Sequence, residues 1–310
     1  MSHTPLAGPA SNTQDWYDYR SRGFGASEAA AAAGLSEYQT PFGLYCQKLG
    51  LLPPFEGNEA TRRGKRVEHL IVEDWEEKNG RKVELYPAPM FVHPNPKRSF
   101  MFATPDAIVD MASKGLECKN TNFRQAKKLG EEHGSTVLPE WQSQCQHQME
   151  VMGWETVDVA VWVELEYLQF TVIRDDEFIE MMISAQEELW QRIEAEDPPD
   201  IDWQHKTTPD LIRNLYNTVD GTVKDLSYDA AMAWALQEQL GDQMKELKAQ
   251  WEAARAKVLY EMEDAAIGRL PGNLPSDLKR EIVRLNVPDT PSRRGHIRLY
   301  DRKATTDGAN

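Results

Sequence analysis

Hydrophobic positions along the 310-residue chain recur at two periods, and the switches between them mark out its elements. The run Ser27-Glu-Ala-Ala-Ala-Ala-Ala-Gly34 predicts a short helix with Ser27 as N-cap and Gly34 as C-cap. Pro41 through Leu49 reads as a second short helix. Over 58–79, Val67, Ile71 and Trp75 recur every four residues until Asn79-Gly80 breaks the pattern, which predicts a longer helix. Period two then takes over at 82–86, 89–93, 106–110 and 115–119, and the turn after residue 110 predicts a hairpin for the last pair. Pro139 opens a helix that runs to about Met152 and is closed by Gly153. A strict alternation over 157–164, followed by 168–173, predicts another hairpin. Residues 175–196 read as helix, and 197–225 as loop around Pro198, Pro199 and Pro209. Ser227 to Ile267 reads as a long helical run.

This order predicts an α/β (α+β) protein with a mixed central sheet flanked by helices. The core spans 14–175, preceded by a flexible tail at 1–13 and followed by a helical extension over 176–268. An irregular basic tail, 269–310, contains Pro271, Pro275, Pro288 and Pro291. Within the extension, Leu240, Met244, Leu247, Trp251, Ala254 and Val258 follow a 4-3-4-3-4 spacing. That seam suits either a helical hairpin packed on the core or contact between copies of the chain.

Composition narrows the function classes. Apolar runs fall short of the ~18–20 residues a membrane span needs, and the first residues lack the basic and apolar segments of a secretory signal. Cys46, Cys118 and Cys145 lie far apart, which argues against a disulfide framework and a four-cysteine metal or iron–sulfur site. A reducing cytoplasm is the expected setting. The formal charge of −15 argues at first sight against nucleic acid. It is concentrated, however: residues 171–268 hold 9 basic and 22 acidic side chains, whereas 269–303 hold 9 and 4. Basic clusters remain at 62–66, at Arg293-Arg294 and around Arg298, Arg302 and Lys303.

The chemistry is carried by Thr104-Pro105-Asp106, ten residues, then Glu117-Cys118-Lys119. Residues i and i+2 of a strand share a face, so Glu117 and Lys119 point one way and Cys118 the other. A turn near 112–113 would set Asp106 opposite Lys119 and diagonal to Glu117. Two carboxylates and an ammonium on one face suit Mg²⁺ or Mn²⁺ and metal-assisted phosphodiester hydrolysis, although an exposed ion-pair face has the same bare pattern. Glu68 lies on a helix face shared with Ile71, Val72 and Trp75, where a carboxylate needs a partner or a metal. Gly64, one turn earlier, permits close approach or is simply tolerated. Gln144 and Gln148, one helical turn apart, offer neutral amides to phosphate or sugar, or form part of a solvated face. His147 and His133 read as surface residues.

Six ordered motifs go further. Trp16-x3-Arg20-x4-Gly25-Ala26-Ser27, Gly34-Leu35-Ser36-x-Tyr38-x-Thr40-Pro41, Arg63-Gly64-Lys65-x2-Glu68, Ala103-Thr104-Pro105-Asp106, Glu117-Cys118-Lys119 and Gln144-x-Gln146-His147-x-Met149 occur in sequence. Together they resemble the YqaJ-type viral recombinases, the group containing phage lambda exonuclease, within the PD-(D/E)-x-K nucleases. The resemblance implies a restriction-endonuclease-like core in which Asp106, Glu117 and the Cys118 carbonyl bind metal. Lys119 would assist the attacking water, and Glu68 would hold a second ion. It also implies that Arg20, Ser27, Thr104 and Gln144 grip a terminal 5′-phosphate, with Thr104 standing in for a serine. The activity implied is 5′→3′ digestion of linear double-stranded DNA with two Mg²⁺ ions (Mn²⁺ substituting), leaving a 3′ strand for a single-strand annealing protein. A homo-oligomer (a trimer in the family), a phage or prophage origin and a bacterial cytoplasm follow from the same likeness. A site- or structure-specific endonuclease and a non-catalytic DNA-end-binding protein are the alternatives.

Overall fold

The strictest alternation in the chain, Thr156–Val163, forms the strand around which the larger sheet is built. The computed structural model describes residues 3–11, 13–53, 57, 59–126, 137–164, 166–218, 221–270, 280–287 and 296–303. They divide between two compact units, Met1–Asp220 and Gly221–Asn310. The strands of the first unit are β1 (Leu6–Ala7), β2 (Phe24–Gly25), β3 (Phe91–Val92), β4 (Met101–Ala103), β5 (Ala107–Asp110), β6 (Lys114–Thr121), β7 (Thr156–Val163) and β8 (Glu166–Ile173). Its helices are α1 (Gln14–Tyr19), α2 (Ala29–Ala32), α3 (Pro41–Lys48), α4 (Glu59–Asn79), α5 (Phe123–Ala126), α6 (Pro139–Met152), α7 (Asp176–Glu194) and α8 (Thr208–Leu215).

The sheet that carries Glu117 and Lys119 has the order β5-β6-β7-β8. Strands β6 and β7 run parallel, Glu117 opposite Val159, while the flanking pairs are antiparallel. The parallel pair needs a crossover, and α6 supplies it. Alternation then sorts the faces. Ala107, Val109, Leu116 and Ala160 meet Ile71, Val72 and Trp75 of α4. On the opposite face Val157, Val159 and Val161 join the core containing Cys145, Met149 and Met152 of α6. A smaller sheet, β1-β3-β4-β2, completes the unit.

Several expectations change. The N-terminal residues 3–11 are not loose, because Leu6 and Ala7 pair with Val92 and Phe91. Alternation at 82–86 produces no strand: Glu76 takes Val83 N and Lys82, leaving a single bridge from Leu85 to Ile108. Ser27 is not an N-cap. It sits inside a 3₁₀ turn, Ala26–Glu28, and the Glu28 carboxylate takes the Gly25 N–H at 2.9 Å instead. Thr208–Leu215, inside the expected loop, is helical because Pro209 falls at its first turn, where a missing N–H does no harm.

The second unit departs most from expectation. Among its described residues it contains one helix, α9 (Tyr228–Met262), capped by Ser227, and not a helical hairpin. Beyond it β9 (Ile267–Arg269), β10 (Arg280–Val287) and β11 (His296–Lys303) form an antiparallel sheet where an irregular tail was expected. The four prolines that suggested irregularity lie outside the described residues, in sequence between these strands. Leu240, Met244, Leu247 and Trp251 of the α9 seam are all exposed. The helical extension expected over 176–268 is thus divided, with α7 and α8 in the first unit and α9 in the second. No described helix is long and apolar enough to cross a membrane.

Candidate active site

Asp106 immediately precedes β5, and the hairpin register pairs Ala107 with Leu116 and Ile108 with Gly115. One step further along places Asp106 opposite Glu117, not opposite Lys119 as the sequence suggested. The turn centres on Ala112, with Asp110 opposite Lys114, and an irregularity between Ile108 and Asp110 shifts the register by one more, so that together they move the pairing by two residues. Asp106 Oδ2 accepts the Cys118 N–H at 2.7 Å, which ties the carboxylate to the next strand.

Glu117 is buried on the α6 face of β6. Both of its oxygens are held by neighbours on that face. Oε1 accepts from Lys119 Nζ at 2.7 Å and from Gln144 Nε2 at 2.6 Å, and Oε2 accepts from Gln148 Nε2 at 2.7 Å. Lys119 Nζ also donates to Gln144 Oε1 at 2.8 Å and lies 5.9 Å from the Trp141 ring centroid. Helical spacing explains the arrangement, since Trp141, Gln144 and Gln148 share one side of α6. Cys118 points the other way, into the cluster of α4. Gly115 sets the level of this strand: a Cβ there would lie 2.2 Å from Trp154 Cζ3, so only glycine lets the indole close against β6.

Glu68 approaches from α4 and meets the Tyr86 hydroxyl. Burial and the charge of Glu117 push its carboxyl above the ordinary value. Burial, Glu117 and Glu68 push Asp106 well above its own, against the pull of Lys119. Burial alone would lower the Lys119 ammonium, but Glu117 and Asp106 reverse this and hold it up. Burial and Glu68 likewise push Tyr86 to about 12. These shifts describe one physical situation: three carboxylates interact in a partly dry site beside one lysine.

Among the described residues, no group of three His, Cys, Asp or Glu side chains is placed to hold an ion as it stands. The donor chemistry nevertheless fits a small hard cation, which needs only one or two carboxylates and otherwise keeps water. Asp106 and Glu117 supply those oxygens, and a cation would relieve the surplus negative charge that raises Asp106 and Glu68.

The residues expected at a DNA end form a neighbouring group. Arg20 lies 3.2 Å from Glu28 and its guanidinium carbon 4.9 Å from the Trp16 ring centroid. Trp16 Nε1 donates to Thr104 Oγ1 at 3.1 Å, which places this group two residues from Asp106. Ser27 is exposed nearby in the chain, on the 3₁₀ turn capped by Glu28. Gln144 belongs instead to the Glu117 cluster, where Lys119 and Glu117 occupy its amide. Arg62, Arg63, Lys65 and Arg66 are exposed on α4, and a Cβ at Gly64 would meet open space, so packing does not demand that glycine. Arg293, Arg294 and His133 lie outside the described residues.

Sequence reasoning missed the holding role of Gln148, the Tyr86 hydroxyl and the Glu28–Lys48 pair. It also misplaced two neighbours. His147 is fully buried, Nε2 3.1 Å from Phe102 O, and Gln146 is buried with its Nε2 on Ile173 O, so this side of α6 is not a solvated face. Buried polar side chains of this kind are a signal only once their partners are known.

Comparison with known proteins agrees with the fold. Residues 15–155 match the family described as YqaJ-like viral recombinase domain. The uncharacterized protein YqaJ of Bacillus subtilis (strain 168) is 29% identical over 269 residues, 82% of this chain and 79% of that protein. The alkaline exonuclease LHK-Exo of Laribacter hongkongensis, solved in complex with dAMP, aligns with a TM-score of 0.50 at 23% identity, over 60% of this chain and 94% of that one. A second structure of that enzyme gives 0.49 at 24% identity, with the same coverage. The likeness to the dAMP complex shows that the matched part of the chain shares the fold of that alkaline exonuclease. Residues 15–155, which carry Asp106, Glu117 and Lys119, are thus similar to the YqaJ-like viral recombinase domain.

Proposed function

We propose that this protein is a divalent-metal-dependent 5′→3′ exonuclease that digests linear double-stranded DNA from 5′-phosphorylated ends. One observation carries the reading: Glu117, beside Asp106, is held at both oxygens by Lys119, Gln144 and Gln148. Such bracing keeps a lone pair of each oxygen in a fixed direction, which a surface ion pair does not require. Asp106, Glu117 and the Cys118 carbonyl would hold one Mg²⁺ or Mn²⁺, and Glu68 a second. When bound, the metal supplies Lewis acidity and an acidified water. Lys119 orients the attacking water and offsets charge developing on the phosphate. Arg20, Ser27 and Thr104 bind the terminal 5′-phosphate, with Gln144 linking that grip to Glu117.

The product is a 3′ single strand, the substrate of an annealing protein in phage-type recombination in the host cytoplasm. Self-association is part of the reading. The resemblance points to a trimer, and the exposed α9 seam offers a surface for a second copy.

Three DNAs with Mg²⁺ test the reading: linear duplex with 5′-phosphate ends, the same with 5′-hydroxyl ends, and closed circles. Degradation of phosphorylated ends, little of hydroxyl ends and none of circles is expected. Cleaved circles would make the protein an endonuclease, and no cleavage of any substrate with either metal would leave only an end-binding role.

A further inference from the structure

Arg20 is fastened at both ends by a single ion pair. Its carbonyl accepts from Lys48 Nζ at 2.8 Å, while its guanidinium Nη2 lies 3.2 Å from Glu28 Oε1. The same Lys48 Nζ sits 3.0 Å from Glu28 Oε1 and 2.9 Å from Oε2. Glu28 Oε2 also accepts the Gly25 N–H at 2.9 Å, closing the turn that carries Ser27. No part of the reaction described above uses Glu28 or Lys48.

Burial distinguishes the three charges. The Lys48 side chain is 4% exposed and that of Glu28 7%, whereas Arg20 is 28% exposed. Burying a lysine and a glutamate brings little stability over an apolar pair, so their retention asks for another reason. Charge counting supplies one. Glu28 and Lys48 neutralise each other, and the positive charge left over belongs to Arg20, the member that reaches solvent. Burial alone would push the Glu28 carboxyl up; the charges of Lys48 and Arg20 overrule it and hold it below its ordinary value. Arg20 is therefore fixed at its backbone, steered at its guanidinium and flanked by the Trp16 ring, with its charge uncancelled.

We propose that Glu28 and Lys48 are positioning residues that hold Arg20 ready for an anionic group, and thereby set the preference for phosphorylated over hydroxyl DNA ends. The inference rests on the reading of Arg20 as a phosphate ligand. A preorganised arginine gives up less side-chain freedom on binding than a loose one, and that difference is realised only with an anion present.

The test compares kcat/KM on 5′-phosphorylated and 5′-hydroxyl linear duplex, with thermal midpoints recorded alongside. Lys48→Met removes the ammonium and keeps the apolar stem. Glu28→Gln removes the charge and keeps an acceptor for Gly25 N–H, so it decides the matter should Lys48→Met fail to fold. In both, the phosphate preference should fall roughly tenfold or more, the factor expected when a hydrogen bond to a charged group is lost, chiefly through KM. Lys48→Arg should restore part of it, which a purely structural role would not produce. Arg20→Ala separates the two levels: retained phosphate preference there overturns the phosphate-site reading itself. Loss in Arg20→Ala, with full preference in folded Lys48→Met and Glu28→Gln, overturns the positioning role alone.

Discussion

Gln148 offers no charge, no proton and no nucleophile, yet its amide holds one side of the buried Glu117 carboxylate. Gln144 and Lys119 hold the other side, so three residues fix what sequence motifs present as one acid. The motif Glu117-Cys118-Lys119 was legible because strand alternation alone puts Glu117 and Lys119 on a shared face. Its partners were not, since 27 and 31 residues separate Glu117 from Gln144 and Gln148. Nothing local distinguishes a glutamine facing solvent from one facing a carboxylate. Lys119→Ala removes the cation but leaves both amides in place. It should still bind 5′-phosphorylated duplex by fluorescence anisotropy, while hydrolysis falls by roughly 10²–10⁴-fold. Near-normal single-turnover rates would remove Lys119 from the reaction.

Helix α6 was the best-read element, since Pro139 at its start and Gly153 in the left-handed conformation at its end are both local signals. What lies along it was read less well. His147 is buried, and burial pushes its imidazole down from the ordinary value of 6.5 to about 4 in the folded protein. A histidine buried neutral contributes fully above about pH 6.5, because the unfolded chain takes up the proton first as pH falls. Stability should therefore drop between about pH 6.5 and 4 by about 3 kcal/mol from this residue alone. Urea unfolding across that window, compared with His147→Gln, measures it; equal slopes for the two proteins would dismiss the assignment. Strand β6 has its own constraint at Gly115. Gly115→Ala should lower stability by about 1–3 kcal/mol, as overpacking does, and depress turnover because Glu117 lies two residues along the same strand. An unchanged urea midpoint would show that Trp154 yields without strain.

At the scale of the molecule, the first unit was readable because its helices are amphipathic and its central strands alternate between two packed faces. The second unit was not. Charge and four prolines made 269–310 look irregular, although Arg280–Val287 and His296–Lys303 pair along their whole length. Strand pairing is a long-range property, and alternation within a charged strand gives a weak signal of it. The exposed seam of α9 carries the prediction at this scale. If a second copy covers it, Leu247→Glu and Trp251→Glu together should lower the mass measured by sedimentation velocity while leaving hydrolysis of short duplexes intact. An unaltered mass would move self-association away from α9.

On the proposed reading, the two neighbouring groups in the first unit would hold their ligands by different forces, and ionic strength should separate them. Glu117 is braced largely by amides at short range, a restraint that dissolved ions barely weaken. Arg20 acts by a partly exposed charge, and added salt both screens it and competes for phosphate. Raising potassium chloride should accordingly blur the choice between phosphorylated and hydroxyl ends before it slows the chemical step on ends already bound. Fidelity in choosing where to begin would then be the salt-sensitive property of this protein, and cutting the comparatively salt-tolerant one.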